Sequence, residues 1–311
     1  MEQNNIKTIR TYTTSEYISM NYKGKLSDER HLSSIREFDK NNNVIKEITY
    51  LPTGEIEHNT TSEYDYKNNI IVNCIFDENN ELLQRHEYER DAEGKITVEK
   101  CFYAESDEPD FTYYKYDQNN NLVEKVNMDS DNDIYSRHLF AYENNLLVKS
   151  TLYNDSNQLE HEKNMQYNNQ GQLILELDND YIDNIKRTFK YEYDEFGNRS
   201  KILIYNKNNQ LISKSLYTFN EQRLTTELIE EDINGEFTTK FNYNEQKLMI
   251  SQEKFDADDD LILRFEYIYE GNNLIKTKTF VRDNDLLEME SELEDNMICR
   301  AFVDYEYEFF E

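Results

Sequence analysis

Apolar residues return at fixed places along most of this chain, in a repeat of about 26 residues. An aliphatic residue closes a short polar stretch at Val44, Ile70, Ile96, Leu122, Leu146, Leu173, Leu224, Leu248 and Leu274, and Arg199 takes that slot in one copy. Upstream stand aromatic pairs two residues apart: Tyr64/Tyr66, Tyr114/Tyr116, Phe140/Tyr142, Tyr191/Tyr193, Tyr217/Phe219, Phe241/Tyr243 and Tyr267/Tyr269, with weaker copies at His86/Tyr88 and Met165/Tyr167. A spacing of two puts both rings on one face of a strand and on opposite sides of a helix, so the repeat is predicted to be β. The residues between the rings, such as Asp65, Lys115, Glu192 and Asn242, are mostly polar. One face of these strands is therefore expected to be wet and the other to carry an aromatic ladder. Adjacent aliphatics after the turns, such as Ile70-Ile71 and Leu122-Val123, suggest a sheet covered on both sides in places.

Each unit contains two turns, so halving it gives strands of ordinary length joined as hairpins. One turn type is short, as in Tyr142-Glu-Asn-Asn-Leu146; the other is looser and more acidic, as in Phe76-Asp-Glu-Asn-Asn-Glu-Leu82 and Phe255-Asp-Ala-Asp-Asp-Asp-Leu261. Consecutive hairpins reverse direction, so the two types fall on opposite rims and one rim is the more acidic. The expected fold is all-β: a long antiparallel meander of two-strand units from residue 36 to 311, curled as an open sheet, with a β-propeller as the alternative. Residues 1 to 35 fit the repeat poorly and are expected to form an irregular N-terminal cap, in which Tyr22-Lys-Gly24-Lys-Leu26 resembles one turn and Ser27 to Ile35 could be a short helix.

Composition sharpens this picture. Hydrophobic residues make up only 37% of the chain, yet 25 Tyr and 16 Phe supply large apolar faces with polar handles. With 7 Gly and 2 Pro, the turns fall to Asn and Asp, which tolerate left-handed backbone. The formal charge of -30, from 64 acidic against 34 basic residues, excludes the footprint of a nucleic-acid or anionic-membrane binder and makes a basic protein the natural complement. No run is long and apolar enough for a membrane helix, the polar N-terminus lacks a signal core, and Cys74, Cys101 and Cys299 lie far apart, all of which fit a cytoplasmic protein with reduced thiols.

The acidic turns are the candidate chemistry. Asp129-Ser-Asp131-Asn-Asp133 has the alternating oxygens of a calcium loop but lacks its glycine, and Phe140 stands where a closing Glu belongs. The histidines never fall at ligand spacing, and no nucleotide or nucleophile motif is present, so no metal, cofactor or catalytic residue is expected. The acids Asp129, Asp131, Asp133, Asp178, Asp180, Asp183, Asp256, Asp258, Asp259, Asp260, Asp283 and Asp285 are instead expected to bind a partner through charge.

At Tyr191-Glu-Tyr193-Asp194-Glu-Phe-Gly197-Asn-Arg199 the chain resembles the YD repeats of Rhs-type proteins, with looser copies at Tyr114-Lys-Tyr116-Asp117 and Tyr64-Asp-Tyr66. The resemblance implies a β-meander spiralling into a shell, in proteins associated with secreted or displayed toxins and their neighbours. Together with the charge, it leads to the expectation of a non-enzymatic immunity or antitoxin-type protein that docks a basic partner such as a toxin domain. The alternative is a structural or surface-associated repeat that binds glycans.

Overall fold

The computed structural model describes residues 6–15, 30–282 and 297–310. Among them are 22 β-strands of an antiparallel sheet, in which consecutive strands pair within each of the chain's two units. The chain divides into two compact units, residues 1–59 with 216–311 (unit 1) and residues 60–215 (unit 2). In unit 1, β1 (Ile6–Ser15) pairs on one side with β2 (Arg30–Phe38) and on the other with β22 (Met297–Phe309). The first strand thus has no free edge, and the hydrogen bonding closes there in the manner of a β-barrel. This corrects both sheet expectations: an open sheet would leave β1 and β22 as edges, and a propeller would divide the strands into separate blades. Within the expected cap, Ile6–Ser15 and Arg30–Phe38 are strands. The Tyr22–Leu26 turn and the first residues of the possible helix lie outside the described residues.

The hairpins are built on one device. Fourteen described turns bond the N–H of the first residue to the carbonyl of the fifth, and the N–H of the fourth to the carbonyl of the first. In thirteen of them the first residue is Asp or Asn, and its side-chain oxygen accepts backbone N–H groups that the turn would otherwise leave unpaired. Asp194 Oδ1, for example, accepts from the N–H of Phe196 at 2.9 Å and of Asn198 at 2.8 Å. The fourth residue takes left-handed backbone, as in Asn120 (φ 69°) and Gly197 (φ 86°). Asn or Gly there avoids most of the steric penalty.

Tyrosines near strand ends, most of them immediately before these turns, supply the second half of the device. The ladder between β13 (Leu173–Asp180) and β14 (Ile185–Tyr193) stops at the pair Leu175–Lys190, and in that gap the Tyr193 hydroxyl donates to the Leu173 carbonyl at 2.8 Å. The same bond recurs from Tyr116 to Ile96, Tyr167 to Leu147, Tyr243 to Thr225, Tyr269 to Met249 and Tyr307 to Leu274. Where the position is Arg90, its guanidinium reaches the Ile70 carbonyl at 2.9 Å. Two copies therefore shift phase: Tyr64, not Tyr66, precedes the Asp65 turn, leaving Tyr66 on the turn at 89% exposure, and Tyr88/Arg90 replaces His86/Tyr88 as the structural pair.

Core packing is slight. Ile48 is the one buried hydrophobic side chain among the described residues, and the chain exposes 20674 Å², against roughly 14,000 Å² for a compact chain of 37.5 kDa. Among the described residues no second layer covers the sheet, and Ile71 stays 36% exposed. In place of a continuous aromatic ladder, rings stack along single strands, as Phe189 on Tyr191 at 6.5 Å, and cations lie over many of them. Arg199 sits 4.4 Å from the Tyr191 ring, Arg85 4.4 Å from Phe102 and Lys240 4.5 Å from Phe255. The charged residues of alternate strands thus cover rings that a second layer would otherwise bury.

Tyr193→Phe removes one hydroxyl bond and leaves the Leu173 carbonyl in the gap, so stability should fall by about 1 kcal/mol, seen as a lower urea midpoint with an unchanged slope. Acid should also destabilise the chain in a defined window. The Asn69 amide holds Asp65, the Lys95 N–H holds Asp91 and the Asn121 amide holds Asp117 below the usual carboxylate range. Their contribution is whole above the unfolded value near 4 and is lost as pH falls through the lower folded values, because the unfolded chain then takes up more protons. Replacing these three by Asn, which serves the same role at Asn168 and Asn244, should flatten that acid limb; a titration of urea midpoints that stayed as steep would count against the turn carboxylates as its source.

Candidate functional site

The alternation of turns sorts the charges of unit 2. Turns 65–69, 91–95, 117–121, 168–172 and 194–198 share one rim, and Lys67 and Lys95 offset part of their acidity. The opposite rim holds turns 77–81, 104–109, 129–133, 155–158, 181–184 and 206–210. Three neighbours among these carry Asp77, Glu78 and Glu81, then Glu105, Asp107 and Glu108, then Asp129, Asp131 and Asp133, with no Lys or Arg within any of the three turns. Successive turns on a rim are two strands apart, roughly 10 Å, which is about one screening length at physiological salt. Their fields therefore overlap into one negative surface.

Unit 2 leaves large apolar side chains exposed on both rims, Tyr66 and Phe196 on the first and several beside the acidic turns of the second. Leu82 and Leu83 follow the first acidic turn, Tyr103 precedes the second, and Ile134 and Tyr135 follow the third. Acids surrounding exposed rings and aliphatics are the composition of an interaction surface, since apolar area supplies affinity and charge supplies orientation.

The structure divides the expected binding acids by role. Asp129, Asp180 and Asp256 accept backbone N–H groups and hold their own turns. Asp178 lies in β13, its Oδ1 2.6 Å from His161 Nε2, and Asp260 pairs with Arg282 at 2.8 Å. Asp131, Asp133 and Asp183 project from the acidic rim of unit 2 into solvent. Asp258 and Asp259 are exposed on a turn of unit 1, with Asp259 in left-handed backbone. Asp283 and Asp285 lie outside the described residues. The acids of turns 77–81 and 104–109 belong to the same surface but are absent from the expected set. Counting alternate turns along the sequence would have found them.

Behind this rim, the tyrosine face of β6 (Leu82–Arg90), β7 (Ile96–Tyr103) and β8 (Asp110–Tyr116) carries a polar cluster that the sequence did not signal. The register sets His86 opposite Cys101, and Cys101 opposite Asp110. Glu99 Oε1 lies 2.9 Å from His86 Nδ1, and the Tyr114 hydroxyl donates to Glu99 Oε2 at 2.9 Å. Cys101 Sγ lies 3.7 Å from His86 Nε2. The order thiol, imidazole, carboxylate is that of a nucleophile with its base, but burial pushes the Cys101 thiol up, away from the thiolate such chemistry needs. The β6–β7 and β7–β8 ladders also engage the neighbouring backbone N–H groups that could stabilise an oxyanion. Among the described residues no group of His, Cys, Asp and Glu is arranged to hold a metal. One cavity of about 420 Å³ opens at the other rim of unit 2, lined by Glu143, Met165 and Tyr167 without converging charges.

No protein-family model and no curated protein matches the chain. Among solved structures it is similar to the crystal structure of TcdB2-TccC3-Cdc42, with 13% identity over 80% of this chain and 15% of that one and a TM-score of 0.40. It is also similar to a porin-like protein from Bacteroides uniformis, with 10% identity over 97% of this chain and 98% of that one and a TM-score of 0.32. Of the first of these structures the chain thus spans less than a sixth.

The state of Cys101 can be measured directly. Its alkylation by iodoacetamide, followed by mass spectrometry from about pH 7 to 10, should show an inflection above the 8.5 of an unperturbed thiol. An inflection below that value would mean that His86 activates it.

Proposed function

We propose that this chain is a non-enzymatic binding protein of the immunity or antitoxin kind, whose acidic rim docks a basic protein such as a toxin domain. The observation that carries this reading is the coincidence, on one rim of unit 2, of three adjacent acidic turns with the exposed side chains of Leu82, Leu83, Tyr103, Ile134 and Tyr135. A solubilising charge alone would spread over both rims. Mid-strand ion pairs on both faces support a protein partner over a lipid one. Arg137–Glu124 and Lys149–Glu162 lie on one face and Lys163–Glu176 on the other, where a lipid-facing barrel needs an uninterrupted apolar band.

The YD-repeat reading gains support from the turn chemistry, because each motif residue has a physical role. The tyrosine hydroxyl bonds a carbonyl of the adjoining strand, the aspartate collects turn N–H groups, and the glycine takes positive φ. The thiols of Cys74 and Cys101 fit a reducing compartment such as the cytoplasm.

A variant with Glu105, Asp107, Glu108, Asp131 and Asp133 changed to Gln or Asn tests the docking surface, since none of these side chains is the acceptor that holds its turn. A basic protein captured from host extract by the native chain at about 0.1 M salt should be released at about 1 M, and the variant should retain roughly tenfold less. Equal retention by the variant, or capture indifferent to salt, would overturn the reading.

A further inference from the structure

Many rings in this sheet have a cation over them, so exposed rings that lack one mark where a cation could be accepted. Arg30 lies 3.7 Å from the Tyr12 ring, Lys95 5.1 Å from Tyr116 and Lys190 4.8 Å from Tyr205. Tyr103 and Tyr135 have no such partner among the described residues, and they remain 43% and 48% exposed.

They also converge on one carboxylate. Tyr103 ends β7 two residues beyond Cys101, which lies opposite Asp110, so Tyr103 and Asp110 are diagonal neighbours across the ladder. The Tyr103 hydroxyl bonds the Cys101 thiol, and this bond, with burial and the nearby Asp110, pushes it up to about 12. From the other side comes Tyr135 of β10 (Ile134–Glu143). The register between β10 and β9 (Leu122–Met128) shifts between Ile134 and Ser136, which re-aims the intervening tyrosine. Burial first, then the Asp110 carboxylate, raises its hydroxyl. Asp110 has no cationic partner among the described residues, and Glu99 lies behind it. Strands β7 and β10 are three spacings apart, roughly 14 Å, so the gap over Asp110 is bounded by two phenol rings and floored by acid.

We propose that Tyr103, Tyr135 and Asp110 form a seat for one arginine side chain of the basic protein docked at this rim. A guanidinium suits it better than an ammonium: it is planar, stacks on aromatic faces, sheds water more readily and meets a carboxylate with two parallel bonds. Such an anchor places a desolvated cation among rings at the edge of a long-range negative field, so steering belongs to the turns and residence to the seat. The inference rests on the docking role proposed above and names the chemistry of its contact.

The probe is a fluorescent peptide of alternating Gly and Arg, titrated by anisotropy at about 0.15 M salt against the full chain and its variants. Changing Tyr103 and Tyr135 together to Ala should weaken binding roughly tenfold, and D110N roughly fivefold, whereas changing both tyrosines to Phe should stay within about twofold because the ring faces remain. Tyr113→Ala, which removes an exposed ring from the opposite face of β8, should change nothing. A Gly-Lys peptide should bind several-fold more weakly. Saturating arginine peptide should slow iodoacetamide labelling of Cys101 and leave that of Cys74 unaltered. If the double Ala variant binds as the native chain does, or Cys101 is unprotected, the seat is refuted. Loss only on neutralising the acidic turns would leave the rim reading standing without the seat. Loss only in the tyrosine variants would keep the seat and remove the rim, and binding insensitive to all of them would remove both.

Discussion

The structure depends on how each reversal of the chain satisfies its own backbone. A sheet without a packed core cannot rely on burial to hold its hairpins, so the turn must be stable locally. An Asp or Asn at the first position collects two N–H groups, and the left-handed fourth residue closes the loop. The tyrosine before it then fills the gap where the preceding ladder ends. Removing either would leave polar backbone groups without partners, and few neighbours are present to replace them. The repeat length follows, because two strands and two such turns fix the residues that fit one unit.

Weak burial explains the chemistry of the faces. Rings here are covered by the alkyl stems and charges of Lys and Arg as much as by one another, and carboxylates pair along and across strands, as Arg137 with Glu124 at 2.6 Å. Exposed pairs of this kind contribute little singly. They do keep a mixed face from being either greasy or uniformly charged. Against that background an exposed ring beside an acid with no cationic partner among the described residues stands out, because the prevailing arrangement supplies one.

The geometry of alternation connects scaffold and surface. One rim needs its turns mainly for closure, and its tyrosines reach between hairpins there. The other shows no such tyrosine bond among the described residues and carries more acid on turns built by the same device. Within unit 2 the same strand spacing that sets the ladder sets the spacing of charges along the rim, which is therefore a periodic negative surface with apolar side chains beside its turns.

The sequence by itself determined the strands, the period and the residues of the turns, because a spacing of two between rings and a recurrent Asp or Asn are local facts and the turn chemistry is satisfied locally; the expected contrast of short and looser turns vanishes, since both rims use one device. It also determined that one rim would be acidic, since alternation is enforced by the hairpin. Phase was not legible in every copy: at Tyr64 and at Arg90 the pattern slipped by two, and the hydrogen bonds of the Asp65 turn and of the Arg90 guanidinium set it right. Closure through β1 and β22 needed long-range pairing, which no local pattern encodes. The meeting of His86, Glu99, Tyr114, Cys101 and Asp110, and the aim of Tyr103 and Tyr135, were likewise decided by register: a shift of one residue turns each side chain to the other face.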